Sequence, residues 1–158
     1  MAEYRLLTTW LLAGTGPQPA WDVLADVLAW PSWWRGVEAA SELSPGDGRR
    51  VGSAYRVRWR SAIPYPVEFD FTVDEVDAPG HMAGRASGEL EGTGVWRLFE
   101  SRGVTAVTYD WSVSTSRPWM NALAPVARPA FRWNHDRVMA AGGRGLAGKL
   151  GADLLSGG

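Results

Sequence analysis

The chain has 158 residues, enough for one domain that buries roughly 70% of its unfolded surface, and no cysteine, which excludes disulfides, thiolate catalysis and cysteine-based metal or iron–sulfur sites. Sixteen basic side chains against 17 acidic ones give a net charge of −1, so no electrostatic drive toward nucleic acid or an anionic membrane is expected. The N-terminus lacks the features of a signal peptide and no 18-residue apolar run occurs, so the expected location is cytoplasmic, without stable membrane insertion.

In chain order, Tyr4 to Leu12 reads as a strand, stopped by Gly14-Thr15-Gly16-Pro17. Trp21, Leu24, Val27 and Leu28 then recur at helical spacing over 17 to 27, and Pro31 starts a second short helix or turn in Trp30-Pro31-Ser32-Trp33-Trp34. From Val37 the period becomes two, with turn signals that divide the chain into strands at about 37 to 43, 50 to 61, 65 to 77, 80 to 90, 92 to 101 and 104 to 115. With the first strand, the sheet has seven.

Alternation assigns the faces. Ser53, Tyr55, Val57 and Trp59 share one side, as do Tyr65, Val67, Phe69, Phe71 and Val73, and Val107, Tyr109, Trp111 and Val113; these should look inward. Arg56, Arg58 and Arg60 fall on the opposite side, across from Glu68, Asp70 and Asp74, as an outer salt ladder. Ser114-Thr115-Ser116 then caps a long helix from Arg117 to about Lys149, with a kink or break expected between 121 and 129 because Pro125 and Pro129 each remove an intrahelical hydrogen bond. Its inward stripe is Met120, Leu123, Ala127, Phe131, Asn134, Val138 and Ala141. The glycines at 142, 143 and 145 should fray it, and 151–158 should be a disordered tail behind a single domain of 1–150.

Three stretches carry a family resemblance: Trp21 to Val37 around Trp30-Pro31-Ser32-Trp33-Trp34, the strand pair Gly92-Thr93-Gly94-Val95-Trp96 through Thr105-Ala106-Val107-Thr108-Tyr109, and Arg117-Pro118-Trp119-Met120-Asn121 through Phe131-Arg132-Trp133-Asn134-His135-Asp136. In these and in its element order the chain resembles the START-like SRPBCC superfamily, in its polyketide cyclase/dehydrase and lipid-transport branch. The resemblance implies an α+β helix-grip fold, a curved seven-stranded antiparallel sheet around a long C-terminal helix, with a deep cavity between them. It supplies no catalytic motif that transfers residue by residue.

Ten tryptophans suit a large core and an aromatic-lined cavity alike. The residues expected to line the cavity are Trp33, Trp34, Tyr55, Trp59, Phe69, Phe71, Trp96, Tyr109, Trp111, Met120, Phe131 and Asn134. Asn134, at the centre of an apolar stripe, either meets a ligand or anchors the helix to a strand. His135, beside the stripe, is a pocket-edge base or a boundary residue. Arg85 and Ser87 lie on a strand whose small residues leave the facing open; inward, Arg85 would anchor a carboxylate or enolate, and outward it is a surface residue. Glu91 is either a general base, if Trp96 and Leu98 face inward, or a solvated hairpin carboxylate. His81 and His135 are too few for a histidine-rich metal site, and neither metal nor other cofactor is expected.

The first functional reading is binding or carriage of an apolar or aromatic small molecule, lipid or polyketide-like. The second is a cofactor-independent cyclase or dehydratase in which Arg85 and a tyrosine stabilise an enolate while Glu91 or His135 moves the proton. The third is a protein-interaction module whose cavity is filled by its own aromatics, monomeric or a homodimer through the helix flanks at Trp119, Trp133 and Met139.

Overall fold

The computed structural model describes residues 3–60, 66–115, 118 and 124–157. An antiparallel sheet of eight strands is built from β1 (Glu3–Ala13), β2 (Val37–Pro45), β3 (Ser53–Trp59), β4 (Val67–Asp77), β5 (His81–Gly88), β6 (Leu90–Ser101), β7 (Val104–Thr115) and β8 (Asp153–Gly157). Their order across the sheet is β2-β3-β4-β5-β6-β7-β1-β8. Helix α1 (Pro17–Ala25), a 3-10 turn (Val27–Ala29) and α2 (Trp30–Trp33) connect β1 to β2, and α3 (Ala124–Leu150) packs against the apolar face of the sheet. Among the described residues no helix is long and apolar enough to cross a membrane.

The period-two pattern produces this sheet because each strand has one apolar face to bury. Tyr4, Leu6, Trp10 and Leu12 of β1 are buried, as are Ser53, Tyr55 and Val57 of β3 and Val107, Trp111 and Val113 of β7. A bulge between Val73 and Glu75 shifts the register of β4, so Val76 rather than Asp77 returns to the core side.

The outer salt ladder forms as expected at Arg56, whereas Arg58, Arg60 and Asp74 take other partners. Arg56 grips Asp70 through two bonds of 2.8 and 3.0 Å. Arg58 and Arg60 turn the other way, to the two oxygens of Glu38. β3 lies between β2 and β4, and Glu38 sits at an irregularity of β2 beside Arg58, so the nearer carboxylate comes from β2. Asp74 pairs instead with Arg85.

The C-terminal segment overturns two expectations. The helix does not fray at its glycines, and 153–157 is not disordered but pairs with β1 as an eighth strand. The reversal is a Schellman cap: Gly151, at φ 63°, adopts the left-handed conformation, Ala152 N–H donates to the Ala147 carbonyl at 2.9 Å and Gly151 N–H to Gly148 at 3.4 Å. Leu154 then packs on the main core cluster and holds β8 in place.

Helix α3 runs continuously through Pro129 as far as Leu150, and Pro125 falls within its first described turn. The interval 119–123, where part of the expected break lay, is outside the described residues. Arg128 and Arg132 donate to the carbonyls of Glu3 and Arg5, tying this end of α3 to β1.

Candidate functional site: an aromatic cavity under the long helix

Two tryptophans fix the position of α3. Trp10 Nε1 donates to the Met139 carbonyl at 3.0 Å and Trp34 Nε1 to the Val138 carbonyl at 2.9 Å. The glycines make this approach possible: a Cβ on Gly142 would lie 2.5 Å from the Trp34 ring, and one on Gly143 would lie 2.9 Å from Trp10. Gly145 similarly admits the backbone of Trp33, its Cβ position being 2.1 Å from the Trp33 carbonyl oxygen.

Held this way, α3 roofs a partly open cavity of about 110 Å³. Aromatic rings form much of its wall. Tyr109 stacks on Trp96 with centroids 4.1 Å apart and on Trp111 at 5.5 Å, while Trp59 lies parallel to Phe69 at 6.4 Å. Two glycines again allow the rings to lie against the sheet. A Cβ at Gly94 would meet the Tyr109 hydroxyl at 2.7 Å, and one at Gly84 would meet Phe71 at 2.6 Å. The space left by the small residues of β5 is therefore occupied by Phe71.

Of the residues expected to line the cavity, Trp34, Tyr55, Trp59, Phe69 and Phe71 do so, as do Trp96, Tyr109, Trp111, Phe131 and Asn134. Trp33 stands outside the lining, its ring stacked on Trp34 at 5.4 Å. Met120 and Tyr65 are outside the described residues. Trp30, Met82, Leu90, Val138 and Met139 also line the cavity. Met139, expected on a helix flank, is buried, whereas Trp133 is exposed with the Arg137 guanidinium 5.0 Å from its ring centroid. Trp119 is outside the described residues.

The charged candidates separate cleanly. Met82, Gly84 and Ala86 face inward, so Arg85 between them faces outward, where it forms a two-bond pair with Asp74 at 2.8 and 3.0 Å. Ser87 is exposed as well. Trp96 and Leu98 do face inward, but this parity sends Glu91 to the exposed outer side; the expected base cannot share their face. His81 meets Glu75 at 3.2 Å on the surface. No group of three or more metal-ligating side chains converges among the described residues.

His135 alone of these candidates enters the cavity wall. Its side chain is 10% exposed, and Asp136 Oδ1, 3.6 Å from Nδ1, is too distant for a hydrogen bond. Neither ring nitrogen has a hydrogen-bond partner among the described residues, and the same holds for Asn134 Oδ1 and Trp59 Nε1. Burial pushes the imidazole below its ordinary pKa, with the Asp136 carboxylate opposing that shift. Burial also raises the Tyr109 phenol well above its ordinary value, so it stays protonated and able to donate.

No family model matches the chain, and no curated protein matches it either. Solved structures do. The ZhuI aromatase/cyclase from Streptomyces sp. R1128 superposes with a TM-score of 0.77 at 19% identity, over 95% of this chain and 94% of that one. The chain has the helix-grip fold. A START superfamily protein from Mycobacterium smegmatis gives 0.74 at 12% identity, over 93% and 97% of the two chains. The di-domain ARO/CYC BexL from the BE-7585A biosynthetic pathway gives 0.69 at 13%; this helix-grip chain is covered over 94% and spans 48% of BexL. At these identities the likeness is one of fold.

Proposed function

We propose that the chain binds an apolar or aromatic small molecule in the cavity between the sheet and α3. The observation that carries this reading is the placement of Asn134 and His135, whose unpartnered polar atoms are buried in the wall of an otherwise aromatic and aliphatic chamber. A buried polar group without a partner costs about 1–3 kcal/mol, a cost that a ligand's hydrogen bond can offset. An apolar cavity with a few polar groups is the usual form of a small-molecule site. The presence of the same fold in structures described as aromatase/cyclases and START proteins supports the reading by analogy.

Titration of the purified chain with a panel of lipids, flavonoids and polyketide-type aromatics tests it. Trp34, Trp59, Trp96 and Trp111 line the cavity, so occupancy should change tryptophan fluorescence saturably and raise the melting temperature. Absence of both responses across the panel overturns the proposal.

A cyclase or dehydratase reading retains one specific support, a neutral imidazole at His135 and a phenol at Tyr109 within one cavity lining. Arg85 and Glu91 have no part in it. In that reading His135 takes a proton from a carbon next to a ligand carbonyl and a cavity tyrosine donates to the developing enolate oxygen. Full turnover of a poly-carbonyl substrate by His135→Gln would remove it.

A further inference from the structure

If the cavity binds an apolar molecule, its polar atoms restrict which one. Resting on that binding reading, we propose that the site takes a neutral, ring-sized molecule bearing a hydroxyl group, of the phenol class, and rejects carboxylates of the same size.

Charge is the first restriction. No Asp, Glu, Lys or Arg lines the cavity among the described residues. Arg85, the expected anchor for an anion, is engaged with Asp74 on the opposite face of the sheet. An ionised ligand would therefore lose its hydration with no charged side chain in the described lining to pair with, which is far costlier than burying a neutral hydroxyl.

Hydrogen bonding is the second. Asn134 Oδ1 is an acceptor in need of a donor, which a ligand O–H supplies. Neutral His135 presents one N–H and one lone pair, both without a hydrogen-bond partner among the described residues. A hydroxyl donates one hydrogen bond and accepts others, so it suits either imidazole tautomer and either orientation of the Asn134 amide. A plain hydrocarbon would leave all of these atoms unpaired.

Size is the third. The cavity of about 110 Å³ is of the order of the roughly 150 Å³ engineered cavity that accommodates benzene, room for one ring rather than a fused set. Its parallel aromatic pairs, Tyr109 with Trp96 and Trp59 with Phe69, give flat walls suited to a planar guest.

The test is calorimetric titration of the full chain with phenol, toluene and benzoate, alongside a neutral flavonoid as a larger probe. Phenol should bind about tenfold more tightly than toluene, the equivalent of one retained hydrogen bond, and benzoate should neither bind nor compete. In the Asn134→Leu/His135→Leu double variant, toluene should bind at least as tightly as phenol. Toluene matching phenol on the unmodified chain, or benzoate displacing phenol, overturns the inference without any variant. If the flavonoid binds and no single ring does, the phenol assignment falls while the binding reading stands; if no probe binds, both fall.

Discussion

The Trp34 indole donates to the Val138 carbonyl at 2.9 Å, and Gly142, one turn further along α3, has no side chain to hold that ring away. Trp10, Met139 and Gly143 repeat the arrangement one residue later. Each tryptophan thus enters a groove opened by a glycine and reaches the carbonyl four residues before it. This double contact fixes α3 just C-terminal to Asn134 and His135, so the polar atoms of the cavity are set by the packing of the helix.

Helix propensity and packing make opposite predictions at these glycines. Replacing glycine by alanine in an exposed helix gains about 0.5–1 kcal/mol. Gly148 meets that condition, with nothing within 4 Å of its Cβ position, and Gly148→Ala should be stabilising. Gly142→Ala and Gly143→Ala should instead destabilise by about 1–3 kcal/mol, because the new methyl forces an indole out of a packed core. Urea unfolding of the three variants checks this, and a stabilising effect at all three positions would refute the close-packing account.

The outward placement of two former candidates gives a second prediction. Arg85→Ala breaks an exposed pair with Asp74, and Glu91→Gln alters an exposed carboxyl, so neither should change affinity for any cavity ligand. Matched titrations of the variants and the unmodified chain measure it. A large loss of affinity in either would mean that the ligand lies on the outer face.

Much of this was legible in the sequence because a strand with one buried face must alternate. The parity of Tyr55, Phe69, Phe71, Tyr109 and Trp111 gave the cavity wall directly. For Glu91 the same rule decides between its two readings, since a residue five positions before Trp96 cannot share its face on a regular strand and so belongs with the solvated carboxylates. Along α3 the expected stripe followed single steps through Phe131, Asn134 and Val138, whereas a helix buries a broader band at i, i+3, i+4, i+7 and i+8. Counted from Phe131, that band includes His135 and Met139, both of which line the cavity. The glycine run could not be read locally: its role depends on Trp10, Trp33 and Trp34, more than 100 residues away in the chain. The same is true of β8, which needs both the Gly151 cap and the free edge of β1.

The buried imidazole gives a pH dependence whose sign can be worked out. Burial lowers the His135 pKa in the folded chain, with Asp136 opposing, while in the unfolded chain the group titrates near its ordinary value of about 6.5. The unfolded state therefore binds this proton more readily. The contribution of neutral His135 to stability is complete above about pH 6.5 and is lost as the pH falls through the folded value. The ion-paired carboxyls of Glu38 and Asp74 have their pKa values lowered by Arg60, Arg58 and Arg85, so their contributions are lost only in a more acidic range. Between about pH 7 and 5 the melting temperature should fall, and His135→Gln, which cannot take up the proton, should flatten that fall. Thermal unfolding of both proteins across this interval is the measurement; parallel curves would show that His135 is solvated rather than buried in the cavity wall.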